Sequence, residues 1–163
     1  MKQRAINTVN NSLIGRLEEF QRLLLLTLPK IEQQWLWQQP NTQISCIGVQ
    51  LSHMTGNLRQ YIVTNLSGQA DQRQRADEFK TQPDITLEAL SSVLISQLKQ
   101  AQALIKETPT ASWSEIYHVQ TFTMTRLEAC IHGVEHLNYH LGQIALLIKY
   151  YKPQDLNFYP EIS

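Results

Sequence analysis

Three histidines in the last third of the chain, His132, His136 and His140, are spaced four residues apart. On a helix, residues i and i+4 are surface neighbours with Cβ atoms about 5–6 Å apart. Two such imidazoles can aim nitrogens at one metal ion, the arrangement that HExxH helices use. Here the stretch reads His136-Leu-Asn-Tyr-His140, with no glutamate inside it. On a helical projection His136 and His140 fall at the edge of the apolar arc, next to Ile144 and in line with Leu147, at half-inward positions on a seam. His132 lies further round, towards solvent. His53 is a fourth histidine of interest, on a polar row with Cys46, Gln50 and Asn57. If that row faces the edge carrying His136 and His140, three imidazoles converge. Three protein nitrogens and a water make an open, catalytic-type site for zinc or a similar divalent ion. Imidazole suits zinc, nickel, copper and iron alike, so the ligands alone do not choose the metal. The same residues also suit a plainer reading, with the pair exposed or internally satisfied and His53 filling the core.

The elements that must position these residues read as helices. Val9, Leu13, Leu17, Phe20, Leu24 and Leu28 recur at three- and four-residue steps, which predicts a first amphipathic helix ended or kinked by Pro29. A short helical piece is expected over 31–37, with Asn41 or Thr42 as an N-cap after Pro40. The second helix is expected over 43–66, with Ile47, Leu51, Met54, Leu58 and Ile62 on one face and Gly68 past its end. Residues 69–82 read as a long polar connection, and Arg73, Arg75, Asp77 and Glu78 within it as a solvated charge run. The third helix follows Pro83, capped by Asp84 or Thr86, with Leu87, Leu90, Leu94, Leu98, Ala101 and Ile105 in one row. A short extended piece is expected around Tyr117–Phe122. Thr125-Arg126-Leu127-Glu128 has the capping-box spacing and opens a last helix reaching about Tyr151. Four long helices in an all-α chain predict a four-helix bundle.

Composition narrows the function. The chain of 163 residues carries 14 Lys+Arg and 14 Asp+Glu, so its formal net charge is zero. A protein whose main partner is nucleic acid leans on excess Lys and Arg against phosphate, and no such excess exists here. The longest apolar stretch, Leu23 to Leu28, contains Thr27 and falls far short of the roughly 20 residues that span a bilayer. No secretory leader pattern opens the sequence, and Cys46 and Cys130 do not form a disulfide framework. A soluble cytoplasmic protein with reduced, buried cysteines is expected. Trp35, Trp37 and Trp113 read as packing or interface residues.

Several segments in their order, HMTGNLRQYIVTNLSG (53–68), RQRADEF (73–79), YHVQTFTMTRLEA (117–129) and HLNYHLGQIALLIKYY (136–151), resemble the DinB/YfiT-like superfamily. The similarity runs from about residue 10 to 152, and is nearest to the branch with an HxxGN motif in helix two and HxxxHxGQI in helix four. The resemblance implies one DinB-like domain over residues 1–163, a four-helix bundle with a long crossover and short irregular connections. It also implies a three-histidine metal site, with zinc or nickel the expected ion. The helix-two ligand falls on His53 and the helix-four pair on His136 and His140. His132 matches no ligand position. Asn57 and Gln143 match motif positions and are expected to support the ligands or line the pocket. Gln74 stands where relatives often have an acid, and Thr121 where they often have glycine.

Characterised members of such families are metal-dependent transferases using a low-molecular-weight thiol such as bacillithiol or mycothiol, and a maleylpyruvate isomerase; others are labelled metal-dependent hydrolases. The shared chemistry implied is a metal that lowers the pKa of a bound thiol or water. The expected partners are a small-molecule substrate and a second copy of the chain, with no nucleic acid and no membrane. Residues 31–37 and the tail LNFYPEIS are expected to offer apolar surface for the dimer. No residue stands out as a general base; Glu135 and Asn57 are nearest in sequence. The alternative is a non-enzymatic metal- or ligand-binding dimer with a stress-related role.

Overall fold

The computed structural model describes the backbone of residues 2–162 and the side chains of residues 8–161. Helix α1 spans Lys2–Thr27 and buries Leu13, Leu17, Phe20 and Leu24 along its predicted stripe. Pro29 sits in a 3₁₀ turn, Leu28–Lys30, that terminates it. A second 3₁₀ turn, Gln33–Trp35, is the short piece expected over 31–37. Helix α2 begins at Ile47 rather than near residue 43, because Cys46 is extended. Asn41 caps a turn instead, its Oδ1 accepting from the backbone N–H groups of Gln43 and Ile44. α2 is α-helical over Ile47–Leu58, π-helical over Arg59–Thr64 and α-helical again over Asn65–Ser67. It stops at Gly68, whose φ of 69° is a left-handed conformation that glycine adopts without steric cost.

Helix α3, Leu87–Glu107, opens on Thr86, which accepts from Ala89 N–H, and buries Leu94, Leu98, Ala101 and Ile105. Two short strands, β1 Ile116–Val119 and β2 Phe122–Thr125, pair antiparallel and fill the stretch where an extended piece was expected. The predicted capping box is formed: Thr125 accepts from Glu128 N–H, and the Glu128 carboxylate accepts from Thr125 N–H. Helix α4 then runs Arg126–Tyr151.

Both α1 and α2 pack against α3 and α4, so α1 and α2 occupy opposite corners of the bundle. α3 and α4 occupy the other two corners, so the segments joining α1 to α2 and α3 to α4 both cross the bundle. α2 and α4 are neighbours, and this places the HxxGN and HxxxH segments face to face. Buried Asn10 ties α1 to the C-terminal end of α3, donating to the carbonyls of Ile105 and Thr108 and accepting from Trp113 Nε1. It thereby satisfies carbonyls that the end of a helix leaves without a partner.

The apolar surface expected on 31–37 and on the tail is largely used within the chain. Trp35 is buried and stacks on Tyr151; Trp37 packs over Gly48 and donates to the Ile85 carbonyl. Leu156 is buried and Phe158 packs against the core.

Candidate metal centre

α2 presents its polar row inward. Gln50, His53 and Asn57 are all buried, His53 being 7% exposed, because the row faces α4 rather than solvent. α4 supplies His136 and His140 from successive turns. One ligating atom from each of His53, His136 and His140 lies within 4.8 Å of the others. The closest approach is between His53 Nε2 and His136 Nε2, at 3.1 Å. Zinc–nitrogen bonds of about 2.0–2.1 Å in a tetrahedron put ligand nitrogens about 3.3 Å apart, so this pair stands near the separation one ion demands.

The hydrogen bonds fix which nitrogen is available. His53 Nδ1 lies 2.8 Å from Glu78 Oε2, and an ionised carboxylate only accepts. His53 therefore directs an Nδ1–H at Glu78 and turns Nε2 to the cluster. His140 Nδ1 lies 3.0 Å from Gln143 Oε1 and 3.3 Å from Gln50 Oε1, again acceptors, so the neutral His140 ring keeps its lone pair on Nε2. A second hydrogen-bonding shell that sets tautomer and ring orientation in this way accompanies metal-binding histidines generally. The donor set suits a divalent ion.

Electrostatics keep His136 and His140 neutral. Burial, joined by the neighbouring His140, His53 and His132, pushes His136 down to about 3. Burial and then His53 push His140 down to about 4. Uncharged imidazole is the form that binds metal. Burial alone would raise the Glu78 carboxyl, but hydrogen bonds from Arg73 and His53 outweigh it and hold it below its ordinary range.

Arg73 and Glu78 are thus not the solvated charge run that the sequence suggested. The loop after α2 folds back over the site, and a 3₁₀ turn, Arg75–Phe79, delivers Glu78 to His53. Arg73 grips the carboxylate with two N–H groups, Nε to Oε1 at 2.6 Å and Nη2 to Oε2 at 2.7 Å, and the two side chains are only 3% and 10% exposed. Its third nitrogen donates to Gln60 Oε1, which also accepts from Gln120 Nε2. Phe79 lies against the His53 ring at 4.9 Å, and Arg75 covers the outer face of Phe79. Sequence reasoning missed these residues because a polar loop carries no periodicity. The usable signal was Gly56: a Cβ there would run into the Glu78 carboxylate, so the HxxGN glycine is the space the loop needs.

His132 also departs from expectation. It is half-buried, packed against Tyr61 at 4.2 Å and 5.7 Å from His136. The Asn57 carboxamide nitrogen lies 3.5 Å from His132 Nε2, and Asn57 Oδ1 is buried without a partner. Gln143 is in contact with His140, while Glu135 is exposed and Cys46 is buried. Among the described residues, neither residue considered for a general base hydrogen-bonds to His53, His136 or His140. On the other side of His140 opens a cavity of about 580 Å³, lined by Gln50, Gln143 and residues of the 40–45 segment.

The DinB family model matches residues 8–151. The chain belongs to the DinB family. The match covers most of α1, the other three helices, the folded-back loop and the hairpin, so every residue of the histidine cluster lies inside it. No curated protein matches the chain. Like the family's helical fold, this DinB chain is mostly helical, with one small two-stranded sheet, and none of its described helices is long and apolar enough to cross a membrane.

Proposed function

We propose that this DinB protein binds one divalent metal ion, zinc or nickel, through His53, His136 and His140, and uses it to activate a low-molecular-weight thiol or water against a small-molecule substrate. The observation that carries the reading is the convergence of three imidazoles from two helices on the α2–α4 seam, one buried and two half-buried. When bound, such an ion supplies Lewis acidity that lowers the pKa of a thiol or water at an open position.

The chain's own residues do the positioning. Glu78 holds the His53 proton at Nδ1, and Arg73 keeps Glu78 ionised. Gln143 and Gln50 do the same for His140 by accepting from its Nδ1. Asn57 Oδ1 offers a buried acceptor on a side chain whose nitrogen lies 3.5 Å from His132 Nε2. The loop carrying Phe79 covers His53 and limits water on that side.

The test is metal analysis of protein purified without chelator, with about one ion per chain expected. Finding no ion, and none after soaking with zinc or nickel, defeats the proposal. A panel of thiols with electrophilic acceptors then separates an enzyme from a non-catalytic metal carrier: turnover of any pair excludes the carrier.

A further inference from the structure

The 580 Å³ cavity beside His140 falls within the range of about 300–1,000 Å³ typical of small-molecule pockets. One wall is α4, where Tyr139, Leu146 and Tyr150 are exposed, Leu146 at 69% and Tyr150 at 68%. Spacings of seven and eleven residues place all three on one stripe of the helix. The opposite wall is the Pro40–Ser45 segment with Ile44. Among the described residues, no Lys, Arg, Asp or Glu lines the cavity. Its polar groups are partly committed already. Asn41 Oδ1 is occupied by two backbone N–H groups, Gln50 donates to the Ser45 carbonyl, and Gln143 Oε1 takes the His140 proton.

Such a lining has nothing to offset the desolvation of a charged ligand, which is costly without an opposing charge or several hydrogen bonds. It has aromatic and aliphatic faces for a flat apolar body and, at the His140 end, carboxamides to orient a polar group. We infer that this cavity is a binding site for a neutral, largely apolar small molecule, with its polar end directed towards the Nδ1 side of His140, where Gln50 and Gln143 lie. The ligand chemistry follows from the cavity itself and stands whether or not the neighbouring histidines hold a metal.

A matched pair of fluorescent probes isolates that chemistry: N-phenyl-1-naphthylamine, and the same skeleton bearing an 8-sulfonate. Both are titrated into metal-free protein. The neutral probe is expected to bind saturably, and the sulfonate at least about tenfold more weakly. Leu146→Glu puts a charge in the wall at an exposed position that the fold does not need, and is expected to weaken the neutral probe about tenfold or more. Ile44→Asp does the same from the opposite wall. His136→Ala, which removes a proposed ligand outside the cavity lining, is expected to leave probe binding within about twofold while abolishing metal uptake. The two readings therefore fail separately.

Absence of saturable binding, equal or tighter binding of the sulfonate, or indifference to both wall variants would overturn the proposal. So would probe binding that disappears as the protein dimerises with rising concentration, since the face would then be a contact between copies.

Discussion

Replacing Glu78 by Gln tests the least expected part of the site. The substitution keeps the length of the side chain and an acceptor oxygen, but removes the charge that faces His53 Nδ1 at 2.8 Å and the Arg73 guanidinium at 2.6 and 2.7 Å. Hydrogen bonds to charged groups contribute about 1.5–3 kcal/mol. Loss of a carboxylate behind a metal-binding histidine lowers metal affinity about 10- to 100-fold, or about 1.4–2.7 kcal/mol. The two routes agree, so a loss of one to two decades in zinc or nickel affinity is expected. Competition against a chromophoric chelator at pH 7.5 measures it, with circular dichroism showing that the helices persist. Asp77→Asn is the control, because Asp77 is exposed and its carboxylate pairs on the surface with Lys80; it should change affinity by less than about twofold. An E78Q protein that is folded and binds metal as tightly as the wild type would refute the idea that the folded-back loop serves the centre. Glu78→Ala is a harsher variant: it leaves Arg73 buried and unpaired, and is expected to cost about 3–5 kcal/mol of stability.

The triple variant H53A/H136A/H140A should lose its metal while keeping its helical signal, since the α2–α4 seam is held by apolar residues such as Leu58, Ile62 and Leu137; elemental analysis and circular dichroism check it. In metal-free protein, unfolded histidines take up protons near 6.5, whereas folded His136 and His140 do so only at about 3 and 4. The unfolded state therefore binds more protons between those values, and stability should be complete above pH 6.5 and fall as the pH drops towards 4. Glu78, held below its ordinary range, adds to the loss at the acid end. Urea unfolding across this pH range measures the trend, and H136A/H140A should flatten it; a flat wild-type profile contradicts the burial of neutral imidazoles. Gly56→Ala gains up to about 1 kcal/mol of helix propensity, yet its Cβ collides with the Glu78 carboxylate. A net loss of about 1–3 kcal/mol, with weaker metal binding, is expected from thermal melts and the same chelator competition; a stabilised variant with intact affinity would show that the loop does not need that space.

What the sequence determined by itself was whatever has a local period. The stripes through Leu17, Phe20 and Leu24, and through Leu94, Leu98 and Ile105, placed α1 and α3, and the Thr125–Glu128 box placed the start of α4 within the chain. Each of these follows from contacts between residues three or four apart, which a linear reading contains. The four-residue spacing of His136 and His140 was legible for the same reason. His53 could be named from its polar row, but only on the condition that this row faces His136 and His140, because nothing local says which helices are neighbours. The π-helical stretch Arg59–Thr64 had no signal in the apolar row that crosses it. The role of Glu78 was decided by tertiary structure alone. Its bond to His53 spans 25 residues, and Arg73 and Glu78 look like solvent-facing charges until the loop closes over Gly56 and removes both from water. The same holds for His132, which the helical projection turned to solvent and the packing of Tyr61 half-buried. Helical periodicity fixes which face a residue occupies; only the packing of α2, α4 and their loop determines what that face meets, and with it whether an imidazole is a solvated base or a neutral ligand.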